Sequence, residues 1–170
     1  MRMIIRRARL GDAKNIAECF YASCEGLCKK CYNKYLCNDT LYSEKKIATL
    51  DKRLGTKNHL MLVATDSSKI VGFASLVGNS TEKTRHRAEC GWFVSIGHSR
   101  QGIATRLVDK LIKEAKKSGL RKLEAEAAVE NIASVNLAKK LGFEIEGKKK
   151  AGMLLDDGKF VDTYILGKVL

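Results

Sequence analysis

Asn131-Ile132-Ala133-Ser134-Val135-Asn136-Leu137-Ala138-Lys139-Lys140-Leu141-Gly142-Phe143 is the stretch whose reading decides the fold. It reads as a helix from about Ile132 to Leu141, ended by Gly142, with Phe143 opening a strand. Asn131 stands where an N-cap belongs, its short side chain able to take an orphan amide of the first turn. The run Lys122 to Val129 in front of it reads as another strand, so one helix links two strands here.

Working outward, Ile103 to Ser118 places Leu107, Leu111, Ile112 and Ala115 on one helical face, and Gly119 supplies its stop. Ala88 to Ile96 reads as a strand. Before it, Leu60 to Ala64 and Ile70 to Leu76 are short apolar runs joined by Thr65-Asp66-Ser67-Ser68-Lys69, the pattern of a hairpin. The chain opens with a strand, Met3 to Ala8, and then Asp12 is offered as the N-cap of a helix carrying Ile16, Ala17 and Phe20. A second helix is expected from about Asn38 to Leu54, with Leu41, Ile47, Leu50 and Leu54 inward, Asn38, Asp39 and Thr40 as caps, and Gly55 closing it. At the other end, Asp156-Asp157-Gly158 marks a hairpin turn before a closing strand, Phe160 to Val169. The expected order is β-α-α-β-β-β-α-β-α-β-β, an α+β class with a mixed sheet. No repeat or linker divides residues 1–170, so one domain is expected.

Apolar residues make up 45% of the 170 and charged residues 30%, the balance of a chain that buries a core. No segment approaches the roughly 18 apolar residues of a membrane span, and Met1-Arg2-Met3-Ile4-Ile5-Arg6-Arg7 lacks the apolar stretch of a secretory signal. The expectation is a cytoplasmic protein with no membrane partner. A formal charge of +13 attracts polyanions in general, among them nucleic acid, acidic protein and a phosphate-rich cofactor. The cations are spread along the chain, including Lys113, Lys116, Lys117 and Lys148-Lys149-Lys150, with no helix-turn-helix or aromatic stacking signature. A nucleic-acid-binding module is therefore the less favoured alternative.

Between a strand and a helix, Ser99-Arg100-Gln101-Gly102-Ile103-Ala104-Thr105 puts small residues where backbone amides meet a ligand. A helix N-terminus offers unpaired N–H groups and a positive dipole end, Arg100 adds charge, and Gly102 lacks the side chain that would block the approach. A pyrophosphate fits such a loop, and so does an ordinary turn before an amphipathic helix. Gly102 and Ala104 match the two small positions of the coenzyme-A pyrophosphate loop of the GNAT superfamily, Gln/Arg-x-x-Gly-x-Gly/Ala, with Ser99 at the Gln/Arg position. Arg7 to Ala13 resembles that family's first strand-to-helix join, and Ile70 to Ala74 its third strand. Asn131 to Phe143 is similar to its fourth-helix signature, which ends in Lys-x-Gly-Phe.

The resemblance covers most of the chain and lies nearest the ribosomal-protein N-terminal acetyltransferase branch. It implies the single-domain GNAT fold, acetyl-coenzyme A as acetyl donor, and an amine, on a protein or a small molecule, as acceptor. It implies a sheet whose strands Ala88 to Ile96 and Lys122 to Val129 splay apart for the pantetheine arm. Backbone groups near Phe93, Val94 and Ile96 would bond that arm, Arg100, Gln101, Gly102, Ile103, Ala104 and Thr105 would hold the pyrophosphate, and Asn131 would contact the cofactor as well as cap its helix. The residues name neither the acceptor nor an assembly state.

Direct transfer to an amine needs a neutral nucleophile, stabilisation of the oxyanion and a proton for the departing thiolate. Many family members take that proton from a Tyr in the fourth helix, where this chain has Ala138. Ser134 is then the implied donor, with a serine bonded to its own helix-start backbone as the alternative, and a silent coenzyme-A sensor as the reading if no group donates. For the base, alternation puts Glu124 and Glu126 on one face of a strand expected to be central, where carboxylates are costly unless paired or functional. Glu89 is the third candidate, at a strand position similar to that of the base in several relatives. An ion pair with a Lys or Arg is the alternative for each glutamate.

Cys24, Cys28 and Cys31 recur at i, i+4 and i+7, on one face of a continuous helix, with Cys37 beyond. Four thiolates could hold a structural zinc ion. Buried or free thiols and a disulfide remain open beside that reading.

Overall fold

The computed structural model describes residues 3–25, 44–54, 56–155 and 157–170. The chain forms β1 (Ile4–Arg7), α1 (Asp12–Glu25), α2 (Glu44–Leu54), β2 (His59–Asp66), β3 (Lys69–Gly78), β4 (Arg87–Val94), α3 (Ile103–Lys117), β5 (Lys122–Ala128), α4 (Ile132–Lys140), β6 (Glu144–Leu154) and β7 (Phe160–Val169). This is the expected order. The strands make one sheet, β1-β2-β3-β4-β5-β7-β6, in which β4 and β5 run parallel and the other neighbours antiparallel. Among the described residues no helix is long and apolar enough to cross a membrane.

Strand alternation divides the core in two. Leu60, Leu62 and Ala64 of β2, Leu123, Ala125 and Ala127 of β5 and Leu166 of β7 meet Leu107, Leu111 and Ala115 of α3 and Val135 and Ala138 of α4 on one side. Met61 and Val63 of β2 and Phe93 of β4 meet Ile16, Cys19 and Phe20 of α1 on the other, with Leu50 and Leu54 of α2 packed alongside. Truncating a fully buried leucine such as Leu107 or Leu111 costs about 2–5 kcal/mol, so the α3 face carries much of the stability.

The ends of the elements follow from local chemistry. Gly142 adopts φ +80, donates to Lys139 O at 2.9 Å, and lets Phe143 donate back to Ala138 O at 3.0 Å. That double closure is a Schellman cap, and it is the physical content of the Gly142-Phe143 ending. Gly119, at φ +81, closes α3 the same way through Leu120 N to Ala115 O at 3.2 Å.

Several boundaries differ from expectation. Asp12 is not an N-cap: it is the first residue of α1, and its carboxylate turns back to accept from Arg9 N at 2.7 Å and from Arg6 at 2.6 and 2.9 Å, because the guanidinium of Arg6, six residues earlier in β1, is a stronger donor than a first-turn amide. The β2–β3 connection is tighter than five residues, since Asp66 pairs with Lys69 and Ser67 and Ser68 take φ 46 and 72, a two-residue turn of the hairpin type. β4 ends at Val94, and Ile96–His98 forms a 3-10 turn instead of strand. α2 is described from Glu44, so the expected caps Asn38, Asp39 and Thr40, together with Leu41, lie outside the described residues, as does Gly55.

Candidate active site

β4 and β5 pair only from Arg87↔Lys122 through Ala88↔Leu123 to Glu89↔Glu124. Beyond that rung the two parallel strands part, so Cys90–Val94 and Ala125–Ala128 border an open gap in the middle of the sheet. Ser95 N donates to Val71 O of β3 at 2.9 Å, and the carbonyl of Phe93 lies against Gly72 of β3, where a Cβ would stand 2.8 Å from it. Alternation of backbone direction then turns Val94 toward the gap and Phe93 away from it. The Phe93 ring is also buried, stacked near Phe73 and Phe20. Gly72 is what allows β3 and β4 this close approach.

At the mouth of the gap, the chain passes through Ile96–His98 into the loop before α3. Ser95 Oγ and His98 Nδ1 lie 2.9 Å apart, and His98 Nε2 lies 3.7 Å from the Asp66 carboxylate, which braces the turn against the β2–β3 hairpin. Sequence reading singled out none of these three residues, and the short Ser-x-x-His spacing was the available signal. Arg100 and Gly102 adopt φ 60 and 74, and Gly102 is the N-cap residue of α3. Arg106 N returns to Gly102 O at 3.1 Å, while the N–H groups of residues 100–105 have no backbone acceptor among the described residues. Six amides at a positive helix end therefore stand ready for an anion. A Cβ on Gly102 would meet nothing within 4 Å, so the glycine serves conformation and an open approach. Ile103 is buried by its side chain and offers only its N–H, whereas Arg100 and Gln101 are exposed.

Across the gap, Asn131 caps α4, its Oδ1 accepting from Ser134 N at 3.2 Å. The Ser134 side chain is half-buried and its hydroxyl makes no hydrogen bond to a described residue, so it does not bond its own helix-start backbone. Ala138 is 0% exposed and belongs to the core shared by α4 and the sheet.

The three glutamates share one face of the sheet but not one environment. Glu124 accepts from Arg87 at 2.9 and 3.1 Å and lies 3.3 Å from Lys122. Burial pushes its carboxyl up, and the hydrogen bonds and charges of Arg87 and Lys122 outweigh burial, so it stays below its ordinary value. Glu126 accepts from Lys149 at 2.6 Å and from Thr163 at 2.5 Å; there too burial raises, Lys149 and Thr163 lower, and the net direction is down. The two carboxylates expected to be buried are half-buried and exposed respectively, because α1 and α2 pack over β2 to β4 and leave the β5–β7 face to charged side chains. Glu89 is exposed and makes no hydrogen bond or ion pair with a described residue. Among the described cysteines, burial pushes the thiols of Cys19 and Cys90 up to about 12, so neither is a thiolate at neutral pH.

A gap between parallel strands, a free-amide loop at its mouth and an uncovered carboxylate beside it suit a thioester held as an extra strand and an amine brought to its carbonyl. The sequence profile of the acetyltransferase (GNAT) family matches residues 27–143. The chain belongs to the GNAT family. It is an acetyl-coenzyme-A-dependent N-acetyltransferase. It is similar to the L-amino acid N-acetyltransferase AaaT of Escherichia coli, 28% identical with 98% of each chain covered. It is also similar to the L-amino acid N-acyltransferase MnaT of the same organism, 29% identical over 84% of this chain and 80% of the relative. Among solved structures, the ribosomal-protein-alanine N-acetyltransferase of Brucella melitensis is 27% identical, covers 98% of this chain and 99% of its own, and superposes with a TM-score of 0.83.

Within this GNAT fold the loop follows β4 and the α4 cap follows β5, the two strands that border the gap, with Glu89 at the last rung before it begins. Cys28, Cys31 and Cys37 lie outside the described residues, and Cys24, in the last turn of α1, has its side chain outside them. Among the described residues no group of His, Cys, Asp and Glu is placed to hold a metal ion.

Proposed function

We propose that the enzyme acetylates the α-amine of a free L-amino acid by direct transfer, with Glu89 as the base that receives the amine proton and Ser134 as the acid that protonates the departing thiolate. The observation that carries this reading is the contrast at the last paired rung: Glu124 is neutralised by Arg87 and Lys122, whereas the adjacent Glu89 is exposed and makes no hydrogen bond or close ion pair with a described residue. A carboxylate held by cations is a weak base, as the lowered value of Glu124 shows.

Acetyl-coenzyme A is the donor. Its pantetheine arm would lie along the gap against Val94 and Ile96, its pyrophosphate on the amides of residues 100–105 with Arg100 beside them, and Asn131 at the rim. Phe93 would contribute through the floor it makes with Phe20 and Phe73. The fit rests on the unpartnered amides and on the unpaired edges of β4 and β5. Cys90 is protonated and half-buried, which favours direct attack by the amine over an acyl-enzyme on that thiol.

The names of the two Escherichia coli relatives point to amino-acid acceptors, and the charge pattern agrees. Lys149, paired with Glu126 at 2.6 Å and drawn also by the charge of Glu89, is a cation for which an acceptor's carboxylate would compete with Glu126. The test compares L-amino acids with their carboxamides and with a polyamine, read by thiol release from acetyl-coenzyme A. Free acids should exceed their amides by about tenfold or more in kcat/KM, the scale of one charged hydrogen bond. Equal rates for acid and amide would remove the amino-acid assignment.

A further inference from the structure

The sheet holds a second concavity. Leu76 and Gly78 of β3 border it, and they pair with Cys90 and Ala88 of β4, the rungs on either side of Glu89. There a cavity of ≈ 570 Å³ opens between the end of β1, the start of β2, the end of β3 and the turn after α3. That size falls within the roughly 300–1,000 Å³ of small-molecule pockets.

Its chemistry is one-sided. Arg7, Lys57 and Arg85 line it, with Asn58, Asn79 and His59, and among the described residues no Asp or Glu does. None of the three cations forms an ion pair with a described residue. The contrast with the β5–β7 face is plain, since Lys122, Lys148 and Lys149 each hold a carboxylate within 2.8 Å. Like charges gathered around a concavity repel, and the repulsion is relieved by an anion bound among them. The Nδ1 of His59, one of the lining residues, is shut off from solvent. Burial, with the charge of Arg53, holds this imidazole below its ordinary value against an opposing bond to the Arg53 backbone, so without an anion it is neutral at pH 7.

We propose that this cavity is a second ligand site, separate from the loop before α3, that binds a small phosphate-bearing molecule. A phosphate dianion has three terminal oxygens for three cations, and the amide groups of Asn58 and Asn79 supply neutral donors around them.

The test uses the whole enzyme saturated with coenzyme A, so that the loop before α3 is occupied, and titrates it with inorganic phosphate and then pyrophosphate while backbone amide shifts are followed. Shifts centred on Asn58, His59, Gly78 and Asn79, weakened tenfold or more in a Lys57→Gln, Arg85→Gln double variant whose acetyl transfer is intact, are the expected result. Absence of shifts at those amides, or equal binding by the double variant, overturns the proposal. A parallel titration with citrate at matched charge separates phosphate from carboxylate recognition, and equal or stronger shifts with citrate overturn the phosphate assignment.

Discussion

Glu89 and Glu124 stand side by side at the last paired rung of β4 and β5, yet Arg87 neutralises only Glu124, at 2.9 Å. Replacing each should therefore have opposite consequences. Glu89→Gln should lower kcat/KM by about 10²-fold or more, the scale of general-base catalysis, with little change in melting temperature. Glu124→Gln should leave turnover within about threefold and cost on the order of 1–2 kcal/mol, because Arg87, whose Nε is already buried without a partner, loses its carboxylate. Paired thermal melts and steady-state kinetics on the two variants decide it. Full activity in Glu89→Gln would take the base away from this residue.

Ser134 presents a hydroxyl without a hydrogen bond to a described residue. Its removal in Ser134→Ala should leave stability and acetyl-coenzyme A affinity unchanged and lower kcat by about 10²-fold. Unchanged turnover would mean that another group, or water, delivers the proton.

Gly102 holds φ +74 with open space where a Cβ would be. Gly102→Ala should strain the loop by on the order of 1–2 kcal/mol, the cost of a left-handed L-residue, and set a methyl group in the path of the pyrophosphate. Calorimetry should show acetyl-coenzyme A binding weakened several-fold with the acceptor KM unmoved. A matching loss in acceptor affinity would point to a wider collapse of the site.

Asp12 gives a pH prediction. Its hydrogen bond from Arg6 is the largest influence, working against burial and helped by Arg9, and the carboxyl sits below its ordinary value. A depressed folded value means the contribution is complete above the unfolded value of about 3.9 and is lost as pH falls through the lower folded value. Asp12→Asn should thus melt below the parent protein at neutral pH, and the two curves should converge as the pH drops below about 4. A gap that persists into strong acid would show that shape, not charge, holds this turn. The effect should be small, since Arg6 is partly exposed and solvent screens the pair.

The order of elements could be read from the chain because each carries its own signal: the helical stripe of Leu107, Leu111 and Ala115, the glycines at 119 and 142, the short apolar runs of the hairpin. The loop before α3 was legible for the same reason, being local. Two kinds of feature were not. The fate of Glu124 and Glu126 depends on Arg87 and Lys149, which lie 37 and 23 residues away and meet them only through sheet pairing. Asp12 looked like a cap because sequence shows its position before a helix but not the guanidinium that folds back onto it. The point where β4 and β5 part is likewise a property of register, and no residue between 90 and 94 announces it.

Gly72 keeps β4 tight against β3, and the gap on β4's other side leaves main-chain groups of both bordering strands without a strand partner. On the binding mode proposed above, the sheet is finished by a ligand rather than by the chain, and its resistance to heat becomes a matter of mass action. At a hundredfold excess over its dissociation constant, a molecule that binds only the folded form adds about 2.7 kcal/mol, which for a chain of this size raises the melting point by roughly 5–10 °C. The cellular supply of acetyl donor would then set how long each enzyme molecule survives as well as how fast it works.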